Sequence, residues 1–241
     1  MTKSAISTPA FCLHSRPYRE NSMIVQFFSE QAGRFSAVVK GVKGSSRKSA
    51  TILPLLQPFI PVVISLAGKS ELKTLTDIDL NGNAYRLQGQ SLFAGLYVNE
   101  LLVRLLSEHI EYPEIYRDYQ FVLQSLLQAE NLERPLRQFE MRLLANLGYG
   151  VPFVEVDVTG GYLGLLQVSE FYEFVQESGF VRSPPLSPEK NRLIFSGEHL
   201  LKIACDDYSG VETALQAKKL MRIVMPNLLG NKPLNSKMLF I

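Results

Sequence analysis

The hydrophobic pattern of this chain changes its period near Asn81-Gly82-Asn83, and that change limits the folds it can adopt. Before this point apolar and polar residues alternate, as between Arg34 and Val42, which is typical of a strand with one buried face. After it, apolar residues recur every four positions between Phe93 and Leu105, which is typical of an amphipathic helix. We therefore predict a β-rich domain over residues 1–80 and a mainly helical domain over residues 81–241.

The first part contains five short stretches with strand character. They lie around Cys12 and over Met23–Ser29, Arg34–Val42, Leu56–Leu66 and Glu71–Ile78. A short link containing Gly33 predicts a hairpin between the second and third stretches, and the next segment, residues 44–49, is predicted to be a flexible basic loop. Pro58 and Pro61 limit the fourth stretch to edge or bulged pairing. Five strands in so few residues indicate a small closed barrel, OB-like or SH3-like, and the number of strands favours the OB fold.

The second part carries several helical patterns. They lie over Phe93–Leu105, from Pro113 onward, and over Glu133–Leu147, with shorter ones from Ser196 to Cys205 and from Val211 to Val224, where Pro226 should end the last helix. The section over residues 153–200 is ambiguous, because Phe171–Val181 fits a β-hairpin whereas Leu163–Val175 could equally be helical. The predicted class is α+β with more than one domain: an N-terminal OB-fold β-barrel, then a mainly α-helical domain with a small β-hairpin insertion.

Charge is distributed unevenly along the chain. Residues 1–80 hold ten Lys/Arg against five Asp/Glu, a net charge of +5, whereas the remainder carries a net charge of −3. Between Gln31 and Ser70 there are six basic and no acidic residues. This asymmetry indicates that the first part faces a polyanion, although a solvated basic surface without a partner would give the same pattern.

Motifs for catalysis, metal binding and phosphate binding are missing from the sequence. The three histidines fall in different predicted elements, and no serine has a G-x-S-x-G context. Cys12 and His14 lack a second pair of ligands, and the carboxylate pairs Asp77/Asp79 and Asp206/Asp207 fit strand ends and turns better than a Mg²⁺ site. We therefore expect no enzyme activity, no metal and no cofactor, and the low cysteine count favours the reducing cytoplasm.

The composition of the first part fits nucleic-acid binding better. Single strands are bound by a cationic groove together with aromatic faces on which bases stack. Tyr18 is the best candidate for stacking because it lies in a polar stretch, whereas Phe28, Phe35 and Phe59 are more typical of a barrel core. The predicted DNA-binding residues are Arg16, Tyr18, Arg19, Arg34, Lys40, Lys43, Arg47, Lys48, Lys69 and Lys73.

One helix edge suggests a second binding site. Arg137, Met141 and Leu144 have i, i+4 and i+7 spacing, which places them on one edge of the apolar stripe of the third predicted helix. A cation beside partly exposed apolar side chains can bind an acidic, hydrophobic peptide. A surface arginine that only lays its stem along the helix would produce the same spacing.

Seven segments, in order along nearly the whole chain, resemble the bacterial RecO family. They are FCLHSRPYRENS (11–22), FFSEQAGRFSAVVKGVK (27–43), LQPFIP (56–61), ELKTL (71–75), GLYVNELLVRLL (95–106), LRQFEMRLLANLGYG (136–150) and GNKPLNSK (230–237). The resemblance implies an OB fold followed by a helical domain. It also implies a bacterial, nucleoid-associated DNA repair and recombination mediator that binds single- and double-stranded DNA and anneals complementary strands.

The partners implied by the resemblance are RecR, the C-terminal tail of the single-stranded-DNA-binding protein SSB and, indirectly, RecA. The residue that matches the family's tail-binding arginine is Arg137. Some family members carry a four-cysteine zinc motif, which this chain lacks, so zinc is not expected. We expect a protein that is monomeric on its own and does not bind membranes. The alternative interpretation is an adaptor that docks on the SSB tail and contacts DNA only incidentally.

Overall fold

The computed structural model describes residues 6–42, 47–68, 70–184, 193–230 and 233–236. The chain forms two compact units, one of residues 1–128 with 233–241 and the other of residues 129–232. In the described part of the chain, no helix is both long enough and apolar enough to cross a membrane.

The first unit begins with a closed five-stranded barrel. Its strands are β1 (Ile6–Tyr18), β2 (Ser22–Ser29), β3 (Gly33–Lys40), β4 (Pro61–Ala67) and β5 (Lys73–Leu80), in the order β1-β2-β3-β5-β4. Neighbouring strands are antiparallel except β3 and β5, which pair in parallel through Ala37–Lys73 and Val38–Thr74. This architecture confirms the predicted OB-like barrel.

Two local predictions about the barrel were wrong. Helix α1 (Arg47–Leu55) replaces the later part of the loop predicted over residues 44–49. The fourth strand begins only at Pro61 rather than at Leu56, because Phe59 has a φ of 66°, a left-handed conformation that interrupts extended pairing. The strand period alone does not reveal such a break, since Phe59 is as apolar as its neighbours.

The barrel interior is filled by the alternating residues of the strands. Val25 and Phe27 of β2 face Phe35, Ala37 and Val39 of β3, and all five are almost completely buried. Because burial of a Val or Phe side chain contributes about 1.5–3 kcal/mol, this apolar layer is the main source of the barrel's stability.

Two helices, α2 (Gly89–Leu105) and α3 (Pro113–Gln128), complete the first unit. Phe11 of β1 lies edge-on to Tyr119 of α3, with ring centroids 5.1 Å apart. The Tyr119 hydroxyl donates to Asn99 Oδ1 (2.7 Å), and Asn99 Nδ2 donates to the Leu13 carbonyl (3.0 Å). This buried chain of hydrogen bonds joins α3, α2 and β1, and it satisfies polar groups that burial would otherwise penalise.

The segment after α2 lies against the beginning of β3. The His109 N–H donates to the Arg34 carbonyl (2.8 Å), and a Cβ on Gly33 would lie 1.8 Å from the Ile110 carbonyl oxygen. Gly33 also has a φ of 64°. Only glycine fits this position, because both the close backbone approach and the left-handed conformation exclude a side chain.

The second unit combines helices with a small sheet. Its helices are α4 (Glu133–Asn146), α5 (Gly197–Ala204) and α6 (Val211–Leu229), and its strands are β6 (Val154–Val156), β7 (Tyr162–Leu165), β8 (Phe171–Val175), β9 (Gly179–Arg182) and β10 (Ile194–Ser196). The sheet order is β10-β8-β9-β6-β7. The predicted hairpin is present as β8 and β9, and the alternative helix over Leu163–Val175 is wrong.

Helix α6 continues three residues beyond Pro226, which had been predicted to end it. Proline removes the hydrogen bond to the carbonyl four residues earlier, and its ring crowds that carbonyl. That carbonyl belongs to Arg222, an exposed residue, so water can replace the missing donor. Burial of Met221 and Met225 further stabilises this part of the helix, and Pro226 by itself does not reveal that packing.

Candidate nucleic-acid interface

One end of the barrel is built from the β1–β2 hairpin and the last residue of β3. Tyr18 pairs with Ser22, which pairs in turn with Lys40, so these residues form one row across three strands. The N–H groups of Gly41 and Val42 both donate to the Asn21 carbonyl, at 2.7 and 3.2 Å. The end of β3 is thereby attached to the hairpin turn, and the exposed Lys40 lies in the same row as Tyr18.

Helix α1 begins at this same end. The Ser49 hydroxyl donates to the Val42 carbonyl at 2.9 Å, and this hydrogen bond is buried. The backbone of Arg47 and Lys48, the first two residues of α1, is therefore positioned beside the end of β3. Lys43 and Lys69 lie outside the described residues.

Tyr18 and Arg19 form a cation–π pair at the hairpin tip. The Arg19 guanidinium carbon is 5.1 Å from the centroid of the half-buried Tyr18 ring. Arg19 has a φ of 51°, which starts the turn toward β2. A guanidinium held against an aromatic ring presents a flat, positively charged surface, which suits both a phosphate and the face of a base.

Arg16 lies two residues before Tyr18 and is exposed at the rim of a cavity of about 550 Å³. The cavity lies between the outer surface of β1 and β2, helix α2 and residues 233–236, all within the first unit. Its polar lining includes His14, Gln26, Asn99 and Arg104. No sequence pattern points to these lining residues, because they share no motif and are brought together only by long-range packing.

Residues 233–236 are attached to α2 on one side of this cavity. The Glu100 carboxylate accepts hydrogen bonds from the N–H groups of Asn235 and Ser236, both at 2.8 Å, and Arg104 donates to the Pro233 carbonyl at 3.1 Å. Burial raises the pKa of Glu100, but the hydrogen bonds from Ser236 and Asn235 and the charge of Arg104 outweigh it and lower the pKa overall. Glu100 therefore stays ionised and holds the segment in place.

Two members of the predicted basic set lie apart from this barrel end. Arg34 is at the other end of β3, about 20 Å from Lys40 at 3.3 Å per residue. Its side chain is only 12% exposed, donating to Glu108 (2.9 Å) and to the Leu106 carbonyl (2.9 Å), so its charge is compensated within the first unit. Lys73 is the first residue of β5; it pairs with Ala37 in the middle of β3 and is half-buried.

The predicted peptide-binding edge of α4 differs from the expectation in one respect. Arg137 is mostly buried and pairs with Glu140 at 2.8 Å, with Glu133 further away at 4.0 Å. Met141 is half-buried and packs against Ile203, Tyr208 and Ala217. Leu144 is completely buried, so the prediction that it is partly exposed is wrong. The i+7 spacing placed it on the correct helix edge, but packing covers that edge.

Groups that could hold a metal are not found among the described residues, where no three His, Cys, Asp or Glu side chains are clustered. The acidic pair Asp77 and Asp79 lies on β5 with both residues exposed. Asp206 forms a contact with Arg142, and Asp207 caps its own turn by accepting from the Ser209 N–H at 3.0 Å. These partners account for Asp206 and Asp207.

Comparison with known proteins covers almost the whole chain. Residues 1–83 match the family model described as Recombination protein O N terminal, and residues 86–236 match Recombination protein O C terminal. Proteins named DNA repair protein RecO are similar in Pasteurella multocida (38% identity, 95% of this chain and 92% of that protein), Coxiella burnetii (36%, 98% and 98%) and Hamiltonella defensa (40%, 96% and 95%). The barrel, the helical region and this similarity over the full length agree, and the chain belongs to the RecO family of DNA repair proteins.

Proposed function

We propose that this RecO family protein is a recombination mediator that binds single- and double-stranded DNA without reading sequence and anneals complementary strands. The observation that carries the proposal is the placement of Tyr18 and Lys40 in one row at the barrel end, with Arg19 against the Tyr18 ring and exposed Arg16 nearby. The α1 backbone adds Arg47 and Lys48 to the same end.

Contacts of this kind explain annealing without an active site. Cations that neutralise phosphates release counterions, which gives binding that weakens steeply with salt. When two complementary strands lie on one cationic surface, their mutual repulsion falls and their local concentration rises. Lys43 and Lys69 belong to the proposed set by their sequence positions. Arg34 and Lys73 are its weakest members, because Arg34 is already ion-paired and Lys73 is half-buried.

The family relationship supports two protein partners in the same proposal, RecR and the acidic tail of SSB, which would help to load RecA on coated DNA. We place the tail at α4, where Arg137 would supply the cation and Met141 the apolar contact. Arg137 is the weaker member of this pair, because it is mostly buried and already bound to Glu140. Leu144 lies behind them in the core and would act by holding the helix edge in place.

The first experiment measures the fluorescence anisotropy of a labelled 30-nucleotide strand titrated with the protein at several salt concentrations. The test variant replaces three exposed barrel cations with alanine: Arg16, Arg19 and Lys40. If each contacts one phosphate, the slope of log K against log[salt] should become shallower by about 2, at 0.7 per phosphate. A matched control removes three exposed cations elsewhere: Arg117, Lys219 and Arg222.

The outcomes separate the proposal from its alternative. Equal weakening of DNA binding in the test and control variants would mean that only the total charge matters, and would contradict a DNA site at the barrel end. No binding at low salt by the unsubstituted protein would contradict the mediator function and favour an adaptor that docks on SSB. Strand annealing measured with the same variants should fall in parallel with affinity.

A further inference from the structure

The sheet of the second unit ends in a strand that is apolar and exposed. Strand β7 lies at the edge of the order β10-β8-β9-β6-β7, and within the described residues only β6 pairs with it. Tyr162, Leu163 and Leu165 are 68%, 61% and 73% exposed. Natural edge strands are normally protected by lysine, proline or a covering element, because their free N–H and C=O groups can pair with another chain.

Protection of this edge is slight. The four residues of β7, Tyr-Leu-Gly-Leu, include no charge and no proline. A register shift adds one extra residue, Leu163, opposite Glu155 and Val156, and Gly164 and Leu165 then continue in regular pairing with β6. Three exposed large apolar side chains on one short edge strand are more apolar surface than a strand facing only water normally carries.

The segment of chain that contains this edge is acidic overall. Between Arg142 and Arg182 the chain has five acidic residues and no basic residue. Arg182 itself is engaged by Glu155 at 2.9 Å and by Glu170 at 3.4 Å. The carboxylate of Asp157, in the turn before β7, accepts from the hydroxyl and N–H of Thr159 and from the Gly161 N–H, which lowers its pKa and keeps it charged.

This charge pattern selects the occupant. The acidic rim consists of Asp157, in the turn before β7, and the exposed Glu177, in the β8–β9 turn, where Ser178 lies beside Gly160. This rim repels the phosphate backbone of DNA and an acidic peptide such as the tail proposed to bind at α4. A second copy of the chain would bring the same acidic rim to the contact. A segment with basic and apolar residues has the complementary charge and could also pair with the free edge.

We propose that the free edge of β7 is a docking surface for an extended segment of a protein partner in which apolar residues alternate with lysine or arginine. The segment adds a strand beside β7, its apolar side chains cover Leu163 and Leu165, and its cations face the acidic rim. This site lies beyond the proposed function, since neither DNA nor an acidic tail fits it.

The test uses the full-length protein and a fluorescein-labelled peptide in which Lys and Val alternate over seven residues. The substituted variant is Leu165→Lys, which removes apolar contact and adds a like charge on the edge. The matched control is Val168→Lys, a residue outside the strand that is also exposed, at 62%. A peptide with Glu in place of Lys tests the sign of the charge.

Anisotropy should show that Leu165→Lys weakens binding of the Lys-Val peptide about tenfold, the equivalent of the roughly 1.5 kcal/mol of one lost apolar contact. Val168→Lys should change it less than threefold, and the Glu-Val peptide should bind at least tenfold more weakly than the Lys-Val peptide. Unchanged Tm values would show that both variants fold, and Leu163→Lys provides a second edge substitution.

Three outcomes would overturn the proposal. If Leu165→Lys and Val168→Lys weaken peptide binding equally, the effect comes from total charge and not from the β7 edge. If the Lys-Val peptide does not bind the unsubstituted protein, the docking surface is excluded. Sedimentation showing a dimer that Leu165→Lys dissociates would assign the edge to a second copy of the chain. The DNA measurements at the barrel end are independent of all three.

Discussion

Replacing Arg137 with alanine should destabilise the second unit by about 3–5 kcal/mol, the cost of leaving one charge of a buried pair without its partner. Glu140 is completely buried, and its Oε1 atom lies 2.8 Å from Arg137 Nη2. Alanine removes the guanidinium and with it this charge-assisted hydrogen bond to the buried carboxylate.

The size of the effect is checked by removing both charges. The double variant Arg137→Met with Glu140→Leu replaces the pair with apolar side chains of similar size, which is often neutral or stabilising. We therefore expect Arg137→Ala to lower the Tm of the second unit by at least about 10 °C, whereas the double variant should stay close to the unsubstituted protein.

Differential scanning calorimetry is the appropriate assay, because a chain with two compact units need not unfold in one transition. The reasoning is refuted if Arg137→Ala costs less than about 1 kcal/mol, the range of an exposed ion pair, or if the double variant is no more stable than the single one. The double variant is also the better probe of SSB tail binding, since it lacks the guanidinium but keeps the fold.

Three further predictions concern the first unit. Gly33→Ala should lower the free energy of unfolding, measured with denaturant, by more than about 2 kcal/mol, because the new Cβ would clash with the Ile110 carbonyl and the backbone is left-handed. A decrease below about 0.5 kcal/mol would contradict this packing. Asn99→Ala should cost about 1–3 kcal/mol for each of the two buried groups it leaves unpaired, and a near-neutral effect would mean that water replaces the amide. Burial raises the pKa of the Cys12 thiol to about 12. A thiol reagent at pH 8 should therefore label exposed Cys205 in the folded protein and Cys12 only after unfolding. Rapid labelling of both cysteines would show that Cys12 is not buried.

Much of the fold could be predicted from local patterns. The strands of the barrel follow from alternation of side chains along β2 and β3, and α3 begins at Pro113 as expected, because proline suits the first turn of a helix. The hairpin of β8 and β9 has its turn where Glu177, Ser178 and Gly179 stand in the sequence. Each of these signals depends on residues only a few positions apart.

The candidate sites could be predicted only in part. Tyr18, Arg19 and Lys40 are neighbours because β1, β2 and β3 pair in one register, and the sequence had suggested their roles without their adjacency. Arg34 belonged to the same basic stretch, yet its partner Glu108 is 74 positions away. Charge counting treats all these cations alike, because it cannot detect an ion pair formed across such a separation.

The sequence by itself determined the class of fold, the division into β-rich and helical parts, the excess of positive charge in the barrel and the resemblance to the RecO family. These properties follow from the composition of the chain and the order of its residues, which do not depend on how distant parts of the chain pack. Tertiary structure decided which cations stay exposed, that Leu144 is buried and that Glu100 holds residues 233–236. It also decided that β7 is an edge strand among the residues that the structure describes. Those outcomes depend on which distant residues pack together, and burial and charge pairing exist only once that packing has formed.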